Sequence, residues 1–116
     1  MNVKMFLVAA SFVLLQPLAV ADTIDESLLF GSWCLVEKSQ TQNGPRTTHA
    51  SNYGFSQSGE IQYQSAFFKQ SDQFEVIDGS IRTDKMGSYD IVNINSRNMI
   101  LVSDSFLYFD RGECRR

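Results

Sequence analysis

The sequence predicts an all-β protein, a small antiparallel up-and-down β-barrel of about eight strands closed by one disulfide. From residue 31 onward, apolar and polar side chains alternate at period two, and no segment there shows a convincing helical period. Turn signals recur about every eight to twelve residues. The two cysteines, Cys34 and Cys114, stand near the two ends of this region. Short strands joined by consecutive hairpins are typical of a meander that closes on itself.

The first 21 residues have the composition of a secretory leader. Lys4 gives the segment a positive start, residues 5–15 form an apolar run, and residues 19–21 supply an A-x-A cleavage signal. The run is too short to cross about 30 Å of hydrocarbon, which disfavours a membrane anchor. We therefore expect residues 1–21 to be a cleaved signal peptide. Residues 22–116 are then one exported domain, periplasmic or extracellular.

The charge balance excludes several classes of partner. The chain carries 10 basic and 13 acidic residues, a formal net charge of −3. Nucleic acids and anionic lipid surfaces select a basic field, which this sequence lacks. The acidic residues are dispersed along the chain, and we expect them to lie on solvated faces. The mature domain is thus predicted to bind no nucleic acid and to have no membrane span.

The elements follow in order after the leader. Residues 22–30 predict a short turn or arm whose Leu28, Leu29 and Phe30 plug one end of the fold. Strands are predicted around the following apolar positions: Trp33 and Leu35, Tyr53 and Phe55, Ile61 and Tyr63 with Phe67 beyond, Phe74 and Val76, Ile81, Tyr89 and Ile91, Met99 and Leu101, and Leu107 and Phe109. Turn chemistry separates them at Asn43-Gly44-Pro45, Ser58-Gly59, Asp78-Gly79 and Asp104-Ser105. Two polar stretches, residues 39–52 and 69–73, are predicted to be loops.

Two cysteines in an exported chain are expected to pair, and Cys34 and Cys114 are the only candidates. The bond closes a loop of about 80 residues, which stabilises the fold by about 4.5 kcal/mol in the chain-entropy model. A reactive thiol is the alternative. The chain has no C-x-x-C motif and no positive group at a helix start to lower a cysteine pKa. Closure of the meander places the first and last strands side by side, which brings the two cysteines together.

Three stretches share a pattern with a known family. Gly31-Ser32-Trp33 forms a G-x-W motif, and residues 53–63, YGFSQSGEIQY, form an aromatic hairpin with an S-x-x-G turn. Residues 107–111, LYFDR, form an aromatic last strand that ends in a basic residue. Together these stretches resemble the lipocalins, and in particular short bacterial lipocalin-like domains with a calycin-like β-barrel. The resemblance covers most of residues 29–111 and implies a barrel that binds a ligand.

The resemblance also implies a role for one tryptophan and one arginine. In the family the tryptophan closes one end of the barrel and a last-strand arginine packs across it, and Trp33 and Arg111 match these positions. If both point inward, period-two alternation puts Cys34 and Cys114 on the outside. A full lipocalin is longer and has a roomy calyx, whereas a barrel of about 95 residues is filled by its own side chains. We therefore expect a packed core with a shallow mouth.

Residues suited to catalysis or metal binding are scarce. His49 is the only histidine, and one imidazole cannot form a zinc site without further ligands. No nucleophile-elbow motif and no glycine-rich phosphate loop is present. Asp90 and Asp110 flank tyrosine-containing stretches, but alternation places both on the outside. The sequence therefore predicts a non-enzymatic protein with no cofactor and no bound metal.

Two binding functions remain open. The first is a small apolar or amphipathic ligand held at the open barrel end, with walls formed by Tyr53, Tyr63, Phe74 and Tyr89. The second is an inhibitor- or immunity-type protein that binds a partner protein through surface loops. Its candidate contact residues are Arg46 and His49 in residues 39–52 and Phe68 in residues 65–72. A void above about 300 Å³ reached from the mouth favours the first, and a filled core with an apolar loop patch favours the second.

Overall fold

The computed structural model describes residues 24–115, and the predicted signal peptide, residues 1–21, lies outside this range. A 3-10 turn, Glu26–Leu28, precedes eight strands: β1 Gly31–Ser39, β2 Arg46–Phe55, β3 Glu60–Gln64, β4 Lys69–Ile77, β5 Ser80–Thr83, β6 Ser88–Ile94, β7 Asn98–Val102 and β8 Phe106–Arg111. Neighbouring strands pair antiparallel in chain order, and β1 also pairs with β8, so the sheet closes into a barrel. The predicted all-β, eight-stranded up-and-down barrel is confirmed.

Alternation along each strand separates a packed interior from a polar exterior. The buried core consists of Leu29, Trp33, Leu35, Tyr53, Phe55, Ile61, Ile81, Met99, Leu101, Leu107 and Phe109. A second set packs against it while partly exposed: Tyr63, Phe74, Val76, Met86, Tyr89, Ile91 and Ile94. Large aromatic and branched side chains thus occupy the inside of the barrel. No helix in residues 24–115 has the length and hydrophobicity to cross a membrane.

The turn between β4 and β5 consists of Asp78 and Gly79, and its backbone angles explain this residue pair. Asp78 and Gly79 both have positive φ angles, 53° and 77°. A two-residue hairpin of this kind favours an Asp-Gly pair, because glycine and aspartate tolerate the left-handed region better than other residues. The predicted hairpin at this position is present, and it joins two strands that both line the core.

Two predicted loops are strands instead. Residues 39–52 were expected to be a long polar loop, but β1 continues to Ser39 and β2 begins at Arg46, which leaves residues 40–45 as the connection. The polar composition misled the prediction, because this half of β2 exposes most of its side chains. Residues 69–73 were also expected to be a loop, yet they form the start of β4. The expectation that Phe67 extends a strand was wrong as well, since β3 ends at Gln64.

A cation–π contact seals one end of the barrel, which we call the sealed end. The guanidinium of Arg111 lies 3.8 Å from the centre of the Trp33 ring, and the Trp33 indole Nε1 donates to the Leu29 carbonyl at 2.8 Å. Arg111 also donates to the carbonyls of Phe30, at 3.0 Å, and Leu28. Burial lowers the pKa of Arg111 from its usual value. Gly31 makes room for this arginine, because a Cβ there would lie 3.3 Å from Arg111 Nη1.

The disulfide lies on the outer face of β1, where it bonds Cys34 to the segment that follows β8. Cys34 and Cys114 are bonded, and their Cα atoms are 4.9 Å apart. The Cys114 amide also donates to Asn52 Oδ1 on β2 at 2.7 Å. Residues 112–115, which we call the C-terminal strap, are therefore held against the outer wall of β1 and β2. The pairing predicted from the sequence is confirmed.

We expect the double variant Cys34→Ser/Cys114→Ser to melt more than about ten degrees below the wild type. The bond removes about 4.5 kcal/mol of chain entropy from the unfolded state, and each kcal/mol shifts the melting temperature of a domain this size by about 4–8 °C. Thermal unfolding followed by circular dichroism measures the shift, with reduced wild-type protein as the reference. A melting temperature equal to that of the oxidised wild type would contradict the predicted stabilisation.

Candidate functional site

The end of the barrel opposite Trp33 and Arg111 is its mouth. Here strand pairs are joined by residues 40–45, 65–68, 84–87 and 103–105. In chain order, β2 enters the barrel from this end, β3 leaves toward it, and β6 enters from it again. The inward-facing residues closest to these connections therefore line the mouth.

Three tyrosine side chains meet inside the barrel, where Tyr53 pairs with Trp33 on one side and with Tyr63 on the other. The rings of Tyr53 and Tyr63 pack edge-on, with centroids 5.1 Å apart. Tyr53 packs in the same way against Phe109 on β8, also at 5.1 Å. Burial raises the pKa of Tyr53, and the nearby Tyr89 and Tyr63 hydroxyls raise it further. The pKa of Tyr89 is also raised, mainly by burial and then by Tyr63. The three phenols thus form one neutral, hydrogen-bond-capable group, which we call the tyrosine cluster.

The hydroxyls of the tyrosine cluster are unequally satisfied. Tyr63 Oη lies 3.3 Å from Ser51 Oγ, and Tyr89 Oη donates to the Met86 carbonyl at 3.3 Å. Tyr53 is only 9% exposed, and its hydroxyl has no hydrogen-bond partner among residues 24–115. A buried hydroxyl without a partner costs about 1–3 kcal/mol. Within residues 24–115, Tyr53 is therefore the member of the tyrosine cluster whose hydroxyl has an unused donor.

Side chains from two connecting segments pack against the barrel near the tyrosine cluster. The Phe68 ring leans on Tyr63 with centroids 5.4 Å apart, although Phe68 is 57% exposed. Met86, in residues 84–87, packs against the core. Sequence reasoning missed Met86, because this residue stands in a short polar connection. Each of these two connections thus contributes one apolar side chain that packs against the barrel.

Asp72 holds one of these segments in place. This aspartate is 7% exposed, and its carboxylate accepts from the amides of Lys85 at 2.6 Å, Gln73 at 2.8 Å and Met86 at 2.9 Å. Burial alone raises its pKa, but these amide hydrogen bonds outweigh burial, so the pKa lies below its usual value. The expectation that all acidic residues are solvated was therefore wrong for Asp72. Counting back in steps of two from Val76 and Phe74 places Asp72 on the inner face, a signal that the polar context concealed.

The other candidate residues lie apart from the tyrosine cluster. Phe74 packs edge-on against Phe55, with centroids 5.3 Å apart. Arg46 and His49, expected in a loop, lie on β2 because that strand pairs with β1 from Arg46 onward. Arg46 forms an ion pair with Glu37 at 3.0 Å and lies 3.9 Å from the centre of the Tyr108 ring. These contacts fasten the β1–β2 hairpin, which gives Arg46 a structural role.

Several surface hollows lie along the outer wall near the C-terminal strap. One of about 440 Å³ is lined by Val36, His49, the Cys34–Cys114 disulfide and Arg115. A second of about 310 Å³ lies between β2 and the β3–β4 turn and is bordered by the strap. Two smaller ones, of about 150 and 220 Å³, lie over Gly54, whose missing side chain leaves the wall thin. Within residues 24–115, no three or more His, Cys, Asp or Glu side chains are grouped as metal ligands would be.

Comparisons with known proteins agree with this architecture. No protein-family model matches the chain, and no curated protein matches it. Among solved structures, the chain is similar to the crystal structure of a lipocalin-like protein from Bacteroides uniformis, with 14% sequence identity and a TM-score of 0.58. The match covers 73% of this chain and 99% of that one. The likeness shows a lipocalin-like barrel fold, which the sequence patterns had predicted.

We expect Asp72→Asn to lower the melting temperature at neutral pH, because the amide is a poorer acceptor for three backbone N–H groups. The Asp72 pKa is lower in the folded than in the unfolded protein, so its stabilisation is present above the unfolded value of about 3.9 and is lost as pH falls through the folded value. The difference between variant and wild type should therefore shrink below about pH 4. Melting temperatures measured across pH provide the test, with the exposed Asp104→Asn as control; a difference independent of pH would contradict it.

We expect Tyr53→Phe and Tyr108→Phe to have opposite effects. The Tyr53 hydroxyl has no partner among residues 24–115, so its removal should stabilise the ligand-free protein by about 1 kcal/mol. Tyr108 is equally buried, but its hydroxyl donates to the Gln42 carbonyl at 2.7 Å, and its removal should destabilise by about 1 kcal/mol. Urea unfolding of both variants measures these changes. Destabilisation by Tyr53→Phe equal to that by Tyr108→Phe would show that Tyr53 is satisfied.

Proposed function

We propose that this protein is an exported, non-catalytic binding protein that engages a partner protein through its outer surface. The disulfide supports the exported location, because such bonds persist in oxidising compartments. The lipocalin-like barrel supports a binding role, since barrels of this type present a rigid wall and variable connections. The observation that carries the partner-protein proposal is the exposure of one phenylalanine.

Phe67 is 95% exposed at the tip of the connection between β3 and β4. Its neighbour Phe68 is 57% exposed, and Ala66 completes an apolar tip of three residues. Single exposed apolar residues are common, but a nearly fully exposed phenyl ring contributes nothing to the fold that carries it. Aromatic residues on protruding segments are the usual anchors of protein–protein contacts.

The tip is held in one conformation by Ser65. The Ser65 amide donates to the Phe68 carbonyl at 2.9 Å, and Ser65 Oγ accepts from the amides of Phe67 and Phe68 at 3.3 Å each. The contact of Phe68 with Tyr63 fixes the second ring. With Phe68 turned toward the barrel, Phe67 is directed to solvent. Such preorganisation reduces the entropy lost when a partner binds.

The packing of the barrel interior also favours a partner protein over a ligand stored inside the barrel. Core residues such as Trp33, Phe55 and Phe109 occupy the inside, whereas the two hollows above 300 Å³ beside the C-terminal strap lie on the outer wall. A filled core with an exposed aromatic tip favours protein recognition over storage of a ligand in a calyx.

A small amphipathic ligand at the mouth is the second candidate function. The unused donor of Tyr53 favours it, together with the two covering side chains Phe68 and Met86 that a ligand would displace. The ligand would place a hydrogen-bond acceptor at the tyrosine cluster and an apolar part toward Phe68. Native mass spectrometry of protein purified from its own host tests this candidate, because a retained ligand adds a discrete mass that Tyr53→Phe should diminish.

We expect Phe67→Ser to abolish partner capture without loss of stability. The ring makes no buried contact in the isolated protein, so the melting temperature should stay within about two degrees of wild type. Affinity capture from the exported fraction of the host, quantified by mass spectrometry, measures binding. The control is Val92→Ser, which removes another exposed apolar side chain, 40% exposed, on β6.

The expected pattern is one protein enriched equally by wild type and Val92→Ser and lost with Phe67→Ser. Equal enrichment by all three forms would show that the tip is not the contact site. Enrichment by none, from an extract that retains its native protein concentrations, would contradict a partner protein altogether.

A further inference from the structure

We propose that the outer wall of the barrel carries a binding site for a neutral oligosaccharide, centred on Gly54 of β2. The site consists of the two hollows of about 150 and 220 Å³ that lie over this glycine, which we call the Gly54 trough. The inference goes beyond the proposed contact with a partner protein, because the described residues that line the trough do not include Phe67.

The backbone gives no reason for a glycine at position 54. Gly54 lies inside a strand and pairs in regular register with Ser32 on β1 and with Gln62 on β3. Its φ angle is not positive, in contrast to that of Gly79. Within residues 24–115, no atom beyond the adjoining residues lies within 4 Å of a Cβ built on Gly54, so a side chain would meet open space. Glycine weakens a strand interior, and it often marks a place where a ligand approaches the backbone closely.

The two hollows form one trough across the outer faces of β1, β2 and β3. Both are lined by Ser32, Gly54 and Gln62. One extends toward Gln64 and the other toward Glu60, which are the two ends of β3. These ends are about 13 Å apart at a rise of about 3.3 Å per residue. A trough of this length accommodates more than one sugar ring.

The side chains that border the trough suit a ligand rich in hydroxyl groups. Asn52, Gln62 and Gln64 each carry a donor and an acceptor on one amide group, which matches hydroxyls that both donate and accept. Ser32 adds a hydroxyl of its own. Among residues 24–115, the Gln64 amide group makes no hydrogen bond, and that of Gln62 donates only to Glu60 at 3.4 Å. These two amide groups are therefore available to a ligand.

Other classes of ligand fit the trough less well. Lys69 and Glu113 line one end and Glu60 the other, so the charges largely offset each other and select no strongly charged ligand. A peptide cannot add to β2 as a strand at Gly54, because this residue is already paired on both sides. An apolar ligand would leave the amide groups without partners. A neutral saccharide avoids these costs, and the flat face of a sugar ring can lie against the peptide plane that Gly54 leaves uncovered.

Saccharide titrations followed by NMR spectroscopy test the inference. The probes are maltohexaose, cellohexaose, xylohexaose and N-acetylchitohexaose, and hexagalacturonate is the charged comparison. Each is added at millimolar concentration to the mature, disulfide-bonded protein. We expect at least one neutral probe to shift the side-chain amide signals of Gln62 and Gln64 in a saturable way.

Three variants connect this binding to the trough. Gly54→Thr fills the trough and should weaken binding by more than about tenfold. Its melting temperature should equal or exceed that of the wild type, because a β-branched residue favours a strand and glycine does not. Gln62→Ala should weaken binding about tenfold through the loss of its hydrogen bonds. The matched control Ser88→Thr introduces the same side chain at an exposed position on β6 and should leave binding unchanged.

Other results overturn the inference. Binding of none of the neutral probes, or of hexagalacturonate alone, excludes a neutral saccharide. Signal shifts confined to the tyrosine cluster, with Gly54→Thr binding as strongly as wild type, place the saccharide at the mouth instead. A melting temperature of Gly54→Thr more than about five degrees below wild type shows that the fold itself requires the glycine. If Gly54→Thr abolishes partner capture and no saccharide binds, the trough belongs to the partner-protein surface, so the proposed function stands and the saccharide site is wrong.

Discussion

The pairing of β1 with β8 is the constraint on which the rest of the molecule depends. Without it the eight strands form an open sheet with two long edges, and the inward aromatic side chains have no opposite wall to pack against. Two further contacts hold the closed end of the chain in place. Arg111 covers Trp33 on the inner face, and the Cys34–Cys114 bond ties the outer face. The cation–π contact thus joins β1 to β8 on the inside, and the disulfide joins β1 to the C-terminal strap on the outside.

A small barrel has room inside either for its own side chains or for a ligand, and here side chains fill most of the interior. Its interior still includes polar atoms near the mouth, where Asp72 and the tyrosine cluster replace the aliphatic residues found deeper down. The Asp72 carboxylate accepts hydrogen bonds from backbone amides. The Tyr63 and Tyr89 hydroxyls make one hydrogen bond each. Of the three tyrosines, Tyr53 alone has a hydroxyl with no partner among residues 24–115. These polar groups therefore mainly hold the neighbouring connections in place, as Asp72 does for residues 84–87. The Tyr53 hydroxyl remains free to bind a ligand.

Period-two alternation was sufficient to predict the strands whose inner faces are apolar, such as those with Trp33 and Phe55. Consecutive hairpins predicted closure, and the expected cysteine pair supported it. Prediction failed where polar residues form strands. The first half of β2 is polar because most of its side chains are exposed. The start of β4 includes the buried Asp72, whose carboxylate binds backbone amides of residues 85 and 86. Composition cannot distinguish such strands from loops, since the information lies in their partners. Met86 shows the same limit, because only the folded connection reveals that it reaches the core.

Uneven strands in a closed barrel have a further consequence. Because β2 is about twice as long as β3, closure at the β1–β8 seam cannot pair every residue, and the surplus of β2 must stand beyond the end of its neighbour. That surplus is stabilised from one side by β1 and by the contact of Arg46 with Tyr108. Its other side meets the turn that exposes Phe67. A barrel whose interior is filled can bind only at its mouth or its surface, and here the length mismatch places an unpaired strand and an exposed ring side by side. The contact residue that we propose, Phe67, thus lies outside a barrel whose interior is filled by its own side chains.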